Sequence, residues 1–129
     1  MPTPKTPSKT GDSIQIIRHG DIAVIIPTAQ IEDLPETLVE QAAQVVLTPL
    51  RENPPSGLIV DLAKVAFVGS VFLSFLLRCH TIVKKQGAEL VLAGVSDKTR
   101  ELLRITALDT IWALYDSQEE ALSALGGAD

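Results

Sequence analysis

The chain has 129 residues, of which 46% are hydrophobic and 21% are charged, as in an ordinary soluble globular domain. This length predicts one domain, and the apolar fraction excludes a largely disordered chain. The formal net charge is −5. A net acidic chain without a basic cluster is a poor candidate for binding nucleic acid or an anionic membrane.

The N-terminal segment and the cysteine content limit the class of protein further. Residues 1–13 contain three prolines and several small polar residues but no apolar core of a signal peptide, which predicts a disordered tail before a domain over residues 14–126. Cys79 is the single cysteine, so an intrachain disulfide is excluded. No apolar run approaches the ~18 residues that a membrane span requires. We therefore expect a cytoplasmic protein.

The chain after the tail begins with a predicted β-hairpin. Residues 14–17 and residues 22–26 are rich in β-branched side chains, which favour strands. Between them, residues 18–21 predict a tight turn, because Gly20 can adopt the positive φ that such turns need. Pro27 ends the second strand.

A helix is predicted next, starting at Pro35 and Glu36, since proline and acidic residues suit the first turn of a helix. The apolar positions that follow have helical spacing: Leu38, Val39, Ala42, Ala43, Val45, Val46 and Leu50. Pro49 and residues 53–55 (Asn-Pro-Pro) predict the end of this helix and the following loop.

Strands and helices then alternate. Residues 57–62 and residues 89–93 are short, nearly continuous apolar runs, which are typical of strands buried on both faces. Between them, residues 71–86 predict a helix that Gly87 ends. This alternation indicates an α/β fold whose sheet is largely parallel after the hairpin.

The C-terminal part continues the same pattern. Residues 96–107 predict a third helix, and residues 110–115 predict the last strand. The final helix begins near Ser117 and ends at Gly126. Ser117 and Glu120 have the spacing of a capping box, in which the serine accepts a hydrogen bond from a backbone N–H group of the first turn.

Catalytic patterns are weak in this sequence. His19 falls in the predicted hairpin turn, and glycine-rich nucleotide loops are absent from the sequence. Cys79 and His80 are adjacent on a helix, so their side chains diverge by about 100° and do not suit one metal ion. Ser70 lies about 15 Å from His80 along a helix, and Ser74 lies on a different face, which argues against a hydrolase. We expect no catalytic residue, no metal site and no cofactor.

Ser70 is the more informative residue. It follows the buried strand and a short loop, and it is predicted to be the N-cap of the helix over residues 71–86. Two interpretations are open at this point. The serine is either a cap alone or a phosphate carrier, because free N–H groups and the helix dipole stabilise negative charge at a helix start.

The helix after Ser70 carries apolar residues over more than one face. Its polar stripe consists of Ser74, Arg78, Thr81 and Lys85. Val71 is in line with this stripe, so we expect it to be exposed, with Phe72 or Phe75 beside it. Exposed apolar side chains at a helix start indicate a protein–protein contact. The alternative is that a neighbouring helix covers the wide apolar arc.

The order of these elements and several residues resemble a known family. Residues 60–73 read Val-Asp-Leu-Ala-Lys-Val-Ala-Phe-Val-Gly-Ser-Val-Phe-Leu. This is similar to the family pattern, in which a buried strand ends in Asp-Leu and is followed by x-x-Val-x-Phe, an apolar residue, Asp-Ser, a small or hydroxyl residue, and Gly-Leu. Residues 84–92, 96–109 and 119–122 resemble the later elements. The chain thus resembles the STAS domain, the fold of bacterial anti-sigma-factor antagonists, over about residues 14–125.

This resemblance implies a fold and a function. The fold would be an α/β, STAS-like single domain, with a mixed sheet of four to five strands, an N-terminal hairpin and about four helices mostly on one face. The function would be to bind an anti-sigma factor that is itself a serine kinase, and so to release a sigma factor. Phosphorylation of the serine at the position of Ser70 would break that complex.

The candidate partner-binding residues at this helix start are Gly69, Ser70, Val71, Phe72, Ser74, Phe75 and Arg78. Several of them depart from the family pattern: Gly69 replaces an aspartate, Val71 and Phe72 replace a small residue and a glycine, and Ser74 stands where glycine is common. A second functional class is open as well, a STAS subunit that acts as a structural module in a signalling complex or in a lipid or anion transport system.

Overall fold

The computed structural model describes residues 14–28 and 35–126, so the predicted tail over residues 1–13 lies outside the described residues. The strands are β1 (Ile14–His19), β2 (Ile22–Pro27), β3 (Gly57–Asp61), β4 (Glu89–Ala93) and β5 (Leu114–Tyr115). The helices are α1 (Glu36–Glu52), α2 (Ser70–Lys85), α3 (Asp97–Ile105) and α4 (Gln118–Ala124), with a 3₁₀ turn at Leu108–Thr110.

The five strands form one mixed sheet in the order β1-β2-β3-β4-β5. β1 and β2 are antiparallel, and every later pair of neighbours is parallel. The hairpin turns at Gly20, whose φ of 61° lies in the left-handed region that glycine adopts at little cost. The predicted hairpin and the mixed α/β sheet are therefore confirmed.

Helices cover both faces of this sheet unequally. The larger core is formed by side chains of α1, α2 and α3 against one face, where Leu58 and Val60 of β3 point. Among the described helices, α4 is the one that packs on the other face, where Ala121 belongs to a smaller cluster that contains Ile59. Because β3 is buried on both sides, its sequence is a continuous apolar run rather than an alternating one, as predicted.

Two predicted boundaries were wrong near the ends of elements. α1 continues through Pro49 to Glu52, although proline was expected to stop it. Proline removes one helical N–H bond, but here only one turn remains, and the N–H group of Asn53 still donates to the carbonyl of Pro49 at 2.9 Å. The helix therefore tolerates the proline in its last turn.

The last strand is much shorter than residues 110–115. Ala107 adopts a left-handed φ of 63° and starts a tight 3₁₀ turn, in which the N–H groups of Ile111 and Trp112 donate to the carbonyl of Leu108. These residues form turn hydrogen bonds instead of strand pairs, so only Leu114–Tyr115 remains for β5. No helix in the described part of the chain is long and apolar enough to cross a membrane.

Candidate functional site

The loop between β3 and α2 carries the candidate site and is held by hydrogen bonds at its start and near its middle. At its start, the Asp61 carboxylate accepts hydrogen bonds from the Ala63 N–H group at 3.0 Å and from the Gln118 amide at 2.9 Å. Near its middle, the Ser96 hydroxyl group donates to the carbonyl of Ala66 at 2.6 Å. Ser96 is also the N-cap of α3, and Gln118 is the first residue of α4. The loop before Ser70 is therefore hydrogen-bonded to the starts of two other helices.

Ser70 is the first residue of α2 and is exposed. The N-cap is Gly69, whose backbone is extended (φ −90°, ψ −179°) and whose carbonyl accepts from the Leu73 N–H group at 2.9 Å. The prediction that Ser70 is the N-cap is therefore wrong. A capping side chain must come from the last extended residue, and glycine has none, so the first turn of α2 has no side-chain cap and no acidic residue.

The first turns of α2 divide their apolar residues between the surface and the core. Val71 is 44% exposed, as predicted, and Phe67 in the preceding loop is 47% exposed. Phe72 and Phe75 are buried and stack with their ring centroids 5.4 Å apart. Phe75 lines one cavity together with Val71, as expected of a ring beside it, although the ring itself is buried.

A cavity of about 350 Å³ lies between the N-terminal half of α2 and the facing turn of α1. Its lining residues are Ser70, Val71, Ser74, Phe75 and Arg78 from α2, with Glu40 and Ala43 from α1. Of the candidate residues, five therefore line one cavity, while Gly69 lies just before it and Phe72 lies in the core.

An ion pair between Glu40 of α1 and Arg78 of α2 forms one side of this cavity. The Arg78 guanidinium group donates two hydrogen bonds to the two carboxylate oxygens of Glu40, at 2.8 and 3.1 Å. The hydrogen bonds from Arg78, and then one from Gln44, lower the pKa of the Glu40 carboxyl group. Sequence reasoning missed Glu40, because a partner 38 positions away leaves no local signal.

The other chemistry-bearing residues lie elsewhere. Cys79 is completely buried, and burial raises the pKa of its thiol to about 12, as expected of a core residue. His80 accepts a hydrogen bond from the Trp112 indole through Nδ1 at 3.2 Å. His19 is the exposed last residue of β1. Within the described residues, no cluster of three or more metal-ligating side chains exists.

Comparison with known proteins decides the family. The family model of the STAS domain matches residues 19–121. The chain belongs to the STAS domain family. The solved structure of an anti-sigma-factor antagonist (STAS) domain protein from Planctomyces limnophilus is 33% identical, with a TM-score of 0.74 over 87% of this chain and 97% of that chain. The resemblance drawn from residues 60–73 is confirmed.

Two further relatives are more distant. The anti-sigma-F factor antagonist RsfB of Mycobacterium tuberculosis is 24% identical over 115 residues, which are 89% of this chain and 90% of that protein. The structure of the anti-sigma factor antagonist SpoIIAA in its unphosphorylated form is 16% identical, with a TM-score of 0.74 over 90% of this chain and 98% of that chain. This last likeness concerns the fold.

Proposed function

We propose that this STAS protein is an anti-sigma-factor antagonist that binds a kinase-type anti-sigma factor in the cytoplasm through the start of α2. In this proposal it is a binding partner rather than an enzyme, and phosphorylation of Ser70 releases it. The observation that carries the proposal is the position of Ser70: an exposed hydroxyl group on the first residue of α2, beside the exposed Val71. The names of the relatives from Planctomyces limnophilus and Mycobacterium tuberculosis support the same role.

The physical basis of the switch is the different cost of a phosphate in the free and bound protein. A phosphoserine carries about −1.5 to −2 charges at pH 7. At the uncapped start of α2 the helix dipole and the free N–H groups stabilise this charge. In the complex the same charge would lie between Val71 and the partner surface, out of contact with water. Removing a charge from water costs free energy unless a counter-charge compensates for it.

The experiment compares the partner affinity of wild type, Ser70→Asp and Ser70→Ala. The anti-sigma factor is first isolated by pull-down from the native cell, and its affinity is measured by calorimetry. Ser70→Asp should weaken the complex by roughly 2 kcal/mol or more, about thirtyfold. Ser70→Ala should bind nearly as well as wild type and should receive no phosphate at position 70 from the kinase in the presence of ATP.

Ser117→Asp is the matched control, since Ser117 caps a different helix and aspartate caps as well as serine. It should bind like wild type. If Ser70→Asp binds the partner with the affinity of wild type, the switch is refuted and Ser70 has only a structural role. If the pull-down instead recovers a transporter or a scaffold assembly, the antagonist role itself is refuted.

A further inference from the structure

Ser74 places a second hydroxyl group in the cavity that Ser70 lines. It is exposed and lies one helical turn after Ser70 on α2. Arg78 follows it by four residues, so the two side chains are neighbours on one face of the helix. Helical side chains lean towards the N-terminus, which brings the guanidinium group of Arg78 over the turn that holds Ser74.

The guanidinium group of Arg78 can exchange its present partner, Glu40, for another anion, because the ion pair is exposed to solvent. It now binds Glu40 through two hydrogen bonds, but its side chain is 41% exposed and that of Glu40 is 57% exposed. A phosphate monoester carries more charge than a carboxylate and offers three acceptor oxygens, and arginine binds phosphate with the same two-pronged geometry. A phosphate on Ser74 would therefore compete successfully with Glu40 for Arg78.

We propose that Ser74 is a second phosphate acceptor of this protein and that Arg78 holds the phosphate. The proposal rests on the proposed function, because the same ATP-dependent kinase partner acts on the same helix start. In the transfer, the serine Oγ forms a bond to the γ-phosphorus of ATP, the bond to the ADP oxygen breaks, and the hydroxyl proton passes to a base of the kinase. The second phosphate takes Arg78 from Glu40 and removes the ion pair between α1 and α2.

The two acceptors differ in what stabilises their phosphates. Ser70 lies eight residues before Arg78, about 12 Å along the helix axis, so its phosphate is stabilised mainly by the helix start. Ser74 lies beyond the first turn, where the dipole has faded, so its phosphate depends on Arg78. Changing Arg78 should consequently affect a phosphate on Ser74 far more than one on Ser70.

The first experiment counts and locates phosphates by mass spectrometry after incubation with the kinase partner and ATP. Wild type should carry two phosphates, Ser70→Ala one on Ser74, and Ser74→Ala one on Ser70. Thr81→Ala is the matched control, because Thr81 is another exposed hydroxyl residue of α2, and it should retain both. Phosphate on Ser70 alone overturns this inference and leaves the proposed function intact. Phosphate on neither serine overturns both.

The second experiment tests the role of Arg78 without the kinase. Phosphoserine is incorporated at position 74 by genetic encoding, and its second ionisation is followed by ³¹P NMR. The Arg78 charge should lower the second pKa of this phosphate by about 0.2 to 0.7 pH units relative to the same protein with Arg78→Gln. Phosphoserine encoded at position 70 is the control and should respond much less. An equal pKa with and without Arg78 overturns the assignment of Arg78.

Discussion

Raising the pH above 9 should destabilise this fold through Cys79, which lies on the inner face of α2 and is completely buried. Burial raises the pKa of the thiol from 9.0 to about 12 in the folded protein, and unfolding returns the thiol to water. Because the folded-state pKa is the higher one, the stabilising contribution is complete below pH 9 and is lost as the pH rises towards 12. The free energy of unfolding should fall by about 1.4 kcal/mol per pH unit in this window.

The matched comparison is Cys79→Ala, which removes the titrating thiol. The small cavity that it leaves lowers the stability by a similar amount at every pH, so this cost cancels when two pH values are compared. Urea unfolding at pH 7.5 and at pH 10 gives the free energy of unfolding of both proteins. Between these two pH values, wild type should lose about 1.4 kcal/mol more than Cys79→Ala.

An equal loss in the two proteins would refute the reasoning, because other groups would then account for the whole pH dependence. A thiol reagent gives an independent check at pH 8. Cys79 should be unreactive in the native protein, where the thiolate is scarce and buried, and should react rapidly in denaturant. Rapid labelling of the native protein would show that Cys79 is not in the core.

Four substitutions test the packing of the fold by urea unfolding. Gly94→Ala should lower the free energy of unfolding more than Gly20→Ala does. Both glycines have positive φ, which costs a residue with a Cβ about 1–2 kcal/mol. Of the two positions, only 94 also brings the added Cβ within 3.0 Å of a neighbouring atom. Ile59→Ala should cost about 2–5 kcal/mol, because Ile59 is completely buried in the smaller core; a loss below 1 kcal/mol would contradict that packing. Trp112→Phe should cost about 1–3 kcal/mol, since it leaves a void and removes the hydrogen bond to His80, and an unchanged stability would contradict the buried indole.

The elements buried on both faces were the most predictable part of the fold. β3 and β4 are continuous apolar runs because helices cover both sides of the sheet, and this burial leaves a direct trace in the sequence. The hairpin was equally clear, since Gly20 supplies the positive φ that its turn requires. In both cases the residues that show the sequence pattern are the same residues that experience the structural requirement, namely burial on both faces or a positive φ.

Features that depend on three-dimensional neighbours were harder to predict. The sequence of residues 110–115 predicts a strand, yet the left-handed Ala107 starts a turn that includes the first of these residues. Two interpretations were open for the apolar arc of α2. Contact with α1 and burial in the larger core account for most of it, while Val71 and Leu77 are left exposed. The ion pair between Glu40 and Arg78 joins two helices, and no local sequence pattern predicts that these two residues are partners.

The corrected position of Ser70 sharpens the mechanism. Gly69 is the N-cap and offers no acceptor to the N–H groups of the first turn of α2, whereas Ser96 and Ser117 cap α3 and α4 with their hydroxyl groups. A side-chain cap is worth about 0.5–2 kcal/mol, so the start of α2 lacks stabilisation that the other two helices have.

A phosphate on Ser70 would supply acceptor oxygens to this uncapped turn as well as a favourable charge for the helix dipole. Phosphorylation should therefore raise the free energy of unfolding of the isolated protein by about 0.3–1 kcal/mol while it weakens the complex. These opposite effects distinguish a regulatory switch from a simple disruption of the helix start. A disruptive modification would lower both the free energy of unfolding and the affinity for the partner. Thermal unfolding and calorimetry on one sample with phosphoserine encoded at position 70 measure the two signs together.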